Sequence, residues 1–253
     1  MPTFPVLERR RAIQPSEPHQ SHTHKFSIDK HLFYLRMRHY STADYETGEI
    51  GAIEFHTEKE EAAVNGLLDG LSKTTSLGLQ YGVPLENLVQ EWKGSRFEPF
   101  GFTNNRHIPY VKSLTDYVAT YVQHYKVVFP YQPSARQQFT LSDFNSINHK
   151  FSLDGREGYI TCSFYHRESI EPARVGKLKI EWAGEGSTMN GLMRAISTSA
   201  SVGLQYGVPL IAYCQEWKGL SFPPNGVTQE SQSASSVLDY AATFLIKRLE
   251  LEK

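Results

Sequence analysis

The sequence predicts an α+β protein: a small antiparallel sheet with helices packed on one face, duplicated in tandem, the copies related by a pseudo-twofold. Three observations predict it. The first is a long repeat, in which Leu77-Gly78-Leu79-Gln80-Tyr81-Gly82-Val83-Pro84-Leu85 recurs as Val202-Gly203-Leu204-Gln205-Tyr206-Gly207-Val208-Pro209-Leu210, 125 positions on. The same spacing relates Gln90-Glu91-Trp92-Lys93-Gly94 to Gln215-Glu216-Trp217-Lys218-Gly219, and His24-Lys25-Phe26-Ser27 to His149-Lys150-Phe151-Ser152. A period this long marks a whole-domain repeat, so each copy is expected to own a core. The second observation is period-2 alternation ahead of the repeated stretch, and the third is an apolar stripe at helical spacing running into it.

Taken in order, residues 1–22 carry Pro2, Pro5, Pro15, Pro18 and the basic run Arg9-Arg10-Arg11 without apolar periodicity, which reads as an extended arm. Residues 23–125 form the first unit, 126–138 a short apolar linker lying along the protein, and 139–253 the second unit. Lys25 to Ile28 reads as a strand. A second strand places Leu35, Met37 and His39 on one face and Tyr34, Arg36, Arg38 and Tyr40 on the other. The shifted residues Ile160, Cys162 and Phe164 make the first face the core, leaving Tyr159, Thr161, Ser163 and Tyr165 outward with the tyrosine face. After a loop over Asp44 to Glu49 comes a third strand, Gly51 to Phe55, matched by Gly176 to Ile180.

A long amphipathic helix follows, with Val64, Leu67, Leu68 and Leu71 on its stripe and Met189, Leu192, Met193 and Ile196 in the second copy, where Ser187 or Thr188 supplies the cap. Gly82 ends it in the left-handed conformation and Pro84 opens a short helix at its first position. Gly78 and Gly203 inside the long helix imply close approach of another backbone or a ligand. Trp92 and Trp217 lie near the end of the short helix, as core or as a base-stacking surface, with Gly94 and Gly219 terminating it. The last helix begins at Ser113 to Tyr117 and at Ser236 to Tyr240. Two such units are expected to meet in a pseudo-symmetric cleft or sheet to sheet.

Composition narrows the function. With 26 basic and 27 acidic residues the net charge is −1, which favours neither long nucleic acid nor an anionic membrane. The start lacks signal-peptide character and no long apolar run exists, so a cytoplasmic protein is expected. Cys162 and Cys214 are the only cysteines, too far apart for a CxxC pair and expected as buried hydrophobes. His19, His22 and His24 cluster on the arm without the fixed geometry a metal needs, and neither metal nor other cofactor is expected. No nucleophile, base and orienting acid share a recognisable spacing, and no phosphate-binding glycine loop follows a strand.

The order Thr23-His24-Lys25-Phe26, Leu79 to Leu85, Arg96-Phe97-Glu98-Pro99-Phe100-Gly101-Phe102-Thr103 and Ser113 to Tyr117 resembles the C-terminal TSCPD domain of cobalamin-dependent (class II) ribonucleotide reductases. The second copy resembles it in Asp154 to Thr161 and Gly186 to Met193, and Arg9-Arg10-Arg11 stands where such reductases carry an arginine-rich lead-in. The likeness covers about residues 9–122 and 147–245. Ser221 and Pro223 replace Arg96 and Glu98 in the second copy, and Asp29-Lys30-His31-Leu32 replaces its glycine-rich hairpin in the first. The string that names the family is absent, and the reductase barrel with its radical and reducing cysteines has no place here.

The resemblance implies a non-catalytic accessory protein, a detached tail that docks on a reductase catalytic subunit or binds nucleotide. The alternative is a free-standing module that binds or sequesters a small nucleotide, such as a phage-encoded sponge for a nucleotide immune signal. A homo-oligomer is a further expected partner state; membrane and long nucleic acid are not. The expected ligand set is Lys25, Gln80, Tyr81, Arg96, Lys150, Gln205 and Tyr206, gathered where both copies contribute. Gln80-Tyr81 and Gln205-Tyr206 either line a cleft or hydrogen-bond the turn, and Lys25 and Lys150 either contact phosphate or are exposed edge charges. Tyr34, Arg36, Arg38 and Tyr40 carry the chemistry that stacks bases and contacts phosphates, or else form a tandem interface.

Overall fold

The computed structural model describes residues 21–39, 50–58, 61–124, 136, 145–165, 174–182, 187–228 and 233–251. The arm over 1–20, the loop at 44–49, Tyr40 and the linker apart from Arg136 lie outside them. Three antiparallel strands come first, β1 (Ser21–Ile28), β2 (His31–His39) and β3 (Ile50–Thr57), in the order β1-β2-β3. Ser21 and His22 therefore belong to β1, two residues the sequence assigned to the arm. Phe26, Ile28, Phe33, Leu35, Met37, Ile53 and Phe55 face inward and are buried.

Helices α1 (Ala62–Gln80) and α2 (Leu85–Trp92), a small ladder β4 (Gly101–Phe102) with β5 (Tyr110–Val111), and α3 (Leu114–His124) complete the half. The second half runs through the same order: β6 (Ser146–Leu153), β7 (Arg156–Phe164), β8 (Val175–Trp182), α4 (Thr188–Tyr206), α5 (Leu210–Trp217), β9 (Gly226–Val227), β10 (Ser233–Ala234) and α6 (Val237–Leu249). This is an α+β fold. Local chemistry explains the boundaries. Ser187 caps α4 by accepting from the Asn190 N–H at 3.3 Å, and Gly82 and Gly207 leave the long helices at φ 87° and 105°. Pro84 and Pro209 are extended cap residues one position before the helix, not its first residue, because the turn from the glycine uses one more extended residue.

Two expectations about packing need correction. The buried residues of both halves form one continuous hydrophobic cluster, not a core for each. The halves also meet helix to helix, α1 against α4 with α2 and α5 alongside, rather than sheet to sheet. The contacts are reciprocal. Trp92 Nε1 donates to Ser199 Oγ at 3.1 Å, and Trp217 Nε1 donates to Thr74 Oγ1 at 2.8 Å, each indole crossing to the other half's long helix. Phe222 lies over Gly66 and Phe97 over Gly191 so closely that a Cβ on either glycine would overlap the ring. Each of these contacts has its counterpart 125 positions on, the arrangement expected where one surface faces its own equivalent.

The close approach predicted at Gly203 is real, but it comes from a side chain. Its absent Cβ makes room for the Tyr213 hydroxyl, whereas at Gly78 a Cβ would stand 3.6 Å from the same oxygen. Tyr213 is fully buried, its hydroxyl has no hydrogen-bond partner, and burial raises its pKa far above the ordinary tyrosine range. Ser163, expected on the outward face of β7, is buried because the strand's register shifts between Ser163 and Phe164.

Candidate functional site

The edge strand of each sheet is where the most polar groups converge. A bare edge exposes unpaired amides, and α1 covers that of β3 with side chains four residues apart. Ile53 N–H donates to Ser76 Oγ at 3.0 Å, Phe55 N–H to Ser72 Oγ at 2.9 Å, and Gln80 Nε2 donates to the Gly51 carbonyl at 3.2 Å. The second half repeats it: Leu178 N–H on Ser201 at 3.0 Å, Ile180 N–H on Ser197 at 2.9 Å, Gln205 Nε2 on the Gly176 carbonyl at 3.2 Å. Gln80 and Gln205 thus sit buried against strand edges. The sequence missed the serines, although Ser72-Ser76-Gln80 and Ser197-Ser201-Gln205 repeat at helical spacing.

Above each covered edge lies a groove to which both halves contribute. The first, about 1290 Å³, runs between β3 and α1 and takes Glu216 from α5. The second, about 820 Å³, runs between β8 and α4 and takes Asn87 and Glu91 from α2. In the first groove each cation meets an acid: Glu54 accepts from Arg38 at 2.6 Å and Arg36 at 3.4 Å, and Lys73 pairs with Asp69 at 2.9 Å, with Glu58 and Glu216 also lining it. Tyr34, Arg36 and Arg38, expected to carry base-and-phosphate chemistry, stand here among acids, with Tyr34 Oη donating to Glu58 at 2.8 Å. Among the described residues that line the second groove, Lys177, Lys179, Arg194 and Arg136 outnumber the single acid, Glu91. Arg136 is fixed by Gln205 Oε1 at 2.7 Å and Glu91 at 3.0 Å.

The seven expected ligand residues are not gathered in one place. Gln80 lines the first groove and Gln205 the second. Tyr206 is buried, which raises its phenol pKa, while nearby Arg136 opposes the shift; its side chain bonds Asn87 across the halves. Tyr81 is a partly buried ring packed on the core. Lys25 lies on the outward face of β1 with its ammonium 5.5 Å from the Tyr34 ring, and Lys150 pairs with Glu157 at 2.7 Å on β6. Arg96 stands 5.8 Å over the ring of Phe100, beside the β4–β5 ladder.

That ladder carries a second surface feature. Phe100, Phe102 and Tyr110 are 44%, 75% and 52% exposed, with Phe102 edge-on to Tyr110 at 5.6 Å. In the second half the position of Phe100 is Asn225, and among the described residues of the β9–β10 ladder Val227 alone is large and exposed.

The rest of the chemistry is structural. Trp92 and Trp217 are core. Cys162 and Cys214 are free and buried, and burial pushes both thiols up to about 12. His24 hydrogen-bonds with the Tyr117 hydroxyl at 2.8 Å and stacks on Tyr121 at 4.0 Å; burial, then neighbouring His22, lower its pKa to about 4. Among the described residues no group of three or more His, Cys, Asp or Glu could hold a metal, and no helix is long and apolar enough to cross a membrane.

Residues 9–126 match the TSCPD domain. That TSCPD stretch contains β1 to β5, α1 to α3 and the exposed aromatic ladder. Among curated proteins, similar chains are vitamin B12-dependent ribonucleotide reductases: 38% identical over 117 residues in Rhodopirellula baltica, 33% over 133 in Streptantibioticus cattleyicolor and 36% over 114 in Bradyrhizobium diazoefficiens. These alignments cover 46%, 52% and 45% of this chain but 11%, 19% and 9% of the reductases, so it spans about a tenth to a fifth of their length. No solved structure matches the chain significantly.

Proposed function

We propose that the chain is a duplicated TSCPD unit whose copies dock about a pseudo-twofold, serving as a non-catalytic accessory that binds a ribonucleotide reductase. The shared element order and the reciprocal tryptophan and phenylalanine contacts support the duplication. Similarity confined to a small part of each reductase supports an accessory rather than a catalytic role. The observation that carries docking is the exposed aromatic ladder of the TSCPD half, because clustered exposed aromatics beside an arginine are the composition of interface centres. Arg96 belongs to that surface. The test is calorimetry between the chain and a vitamin B12-dependent reductase purified from the same host. Phe102→Asp with Tyr110→Asp is expected to weaken binding at least ~10-fold, the scale of one lost hot spot. Absence of binding, or equal binding by the variant, overturns the reading.

A second reading, a small-nucleotide-binding module, is favoured by one observation, the cationic groove of the second half. Gln205 lines it and Tyr206 adjoins it through Asn87.

A further inference from the structure

We infer that the groove between β8 and α4 binds a chain of phosphate groups on a small molecule, held by Lys177, Lys179 and Arg194 with Arg136 at its rim. The inference rests on the second reading above and names its site and the part of the ligand that is read.

The fold does not require these charges. The positions of Lys177, Lys179 and Arg194 are held in the first half by Ala52, Glu54 and Asp69, which build the same strand, the same helix and the same serine-covered edge. Two of the three positions reverse sign between the halves and the third gains a cation. The result is a concentrated positive groove on a chain whose net charge is −1. Field lines focus in such a groove, and an anion is drawn to it ahead of the rest of the surface.

The cations are also available. Among the described residues neither Lys177 nor Arg194 has an ion-pair partner, and both are exposed. Lys179 pairs with Glu181 at 2.5 Å, but both side chains are nearly half exposed, at 48% and 44%, and such a surface pair yields readily to a phosphate. Arg136 differs, being pinned by Gln205 and Glu91, and so offers only the part of its guanidinium that those bonds leave.

The shape selects a small molecule over an acidic peptide. An extended peptide would ordinarily add itself to the edge of β8 through backbone bonds. Those backbone groups are taken, Leu178 N–H and Ile180 N–H by Ser201 and Ser197, and the Gly176 carbonyl by Gln205. What remains for a ligand is the cationic side chains, in about 820 Å³, within the range of small-molecule sites. Arginine and lysine together suit a phosphate chain, the guanidinium as a fork and the ammonium as a point charge.

The experiment is calorimetry on the whole chain at low salt with inorganic triphosphate and, separately, ATP as probes. Wild type is expected to bind triphosphate, with affinity falling as salt rises. Tighter binding of ATP than of triphosphate would show that the groove also reads the nucleoside, and equal binding that it reads phosphates alone; both agree with the proposal. Lys177→Ala with Arg194→Asp gives the second groove the first half's own residues, so the fold should be kept, as circular dichroism and the melting temperature will report. That variant is expected to lose at least ~10-fold per cation removed, the scale of a charge-assisted hydrogen bond. Arg36→Ala, in the other groove, is expected to leave binding unchanged. If ATP binds but the double variant binds it equally well, this groove is wrong while the nucleotide reading survives. If neither probe binds wild type, or only an acidic peptide does, both fall.

Discussion

The two halves of this chain agree inside and differ outside. Many buried positions correspond in kind, Trp92 with Trp217, Phe97 with Phe222, Leu67 and Leu68 with Leu192 and Met193, and so do the edge-covering Ser72, Ser76 and Gln80 with Ser197, Ser201 and Gln205. The surfaces have gone separate ways. The first half shows an exposed aromatic ladder and a groove of mixed charge with four acids to three cations, and the second a plain ladder and a cationic groove. The contrast teaches that the scaffold constrains the reciprocal seam and the strand edges, and leaves the groove walls free to vary.

That comparison can be broken most forcefully in the shared core. Leu68→Ala is expected to destabilise by about 2 to 5 kcal/mol, read by chemical denaturation, because a buried Leu loses its burial and leaves a void. With one continuous core, wild type and variant should each unfold in a single transition. Two separated transitions would show that the halves are independent.

The next test exploits an asymmetry within the seam. Gly203→Ala should destabilise by about 1 to 3 kcal/mol, since its methyl overlaps buried Tyr213. Gly78→Ala should be neutral or stabilising by up to about 1 kcal/mol, because its methyl meets only ordinary contacts and alanine suits a helix better. Tyr213→Leu, the residue type of Leu88 in the first half, should rescue Gly203→Ala; melting temperatures decide it.

Smaller effects are expected from the indoles. Trp92→Phe and Trp217→Phe should each destabilise by about 1 to 2 kcal/mol, through loss of a buried bond to Ser199 or Thr74. The two should be similar if the seam is reciprocal in energy as well as in geometry.

The smallest effect is a pH dependence placed in the first half. The folded pKa of His24 lies below its ordinary value, at about 4 against 6.5, so the unfolded chain takes up the proton first as pH falls. The contribution is fully present above about pH 6.5 and lost between there and about pH 4. The melting temperature should fall over that window for wild type and less for His24→Gln, while an equal fall in both would place the titration elsewhere.

Much of the scaffold was legible because its signals are local. Alternation gave β2, whose buried face the residues 125 positions on then decided, while the stripe gave α1 and Gly82 and Gly207 gave the corners, through a backbone or period that neighbours in sequence determine. The seam was not legible, since nothing near Trp92 in sequence says that its partner is Ser199. The edge-covering role of Gln80 and Gln205 was hidden for the same reason: persistence of a polar residue looks alike whether it meets a ligand or the Gly51 carbonyl. The cationic groove was invisible to net charge, because the 26 basic and 27 acidic residues of the whole chain nearly balance wherever they stand, Glu54 and Asp69 alone offsetting two of Lys177, Lys179 and Arg194. Comparing the two halves at these positions would have exposed it.

The crossed indoles bear on how the molecule can move. Two pins set on opposite sides of a seam resist rotation about either one, because pivoting at Trp92 would draw Trp217 away from Thr74. A clamshell opening of the halves would have to break both bonds and uncover the shared core, which hinge motions avoid by bending at a few loop residues. Binding of a ligand or partner should therefore leave the relative placement of the halves unchanged.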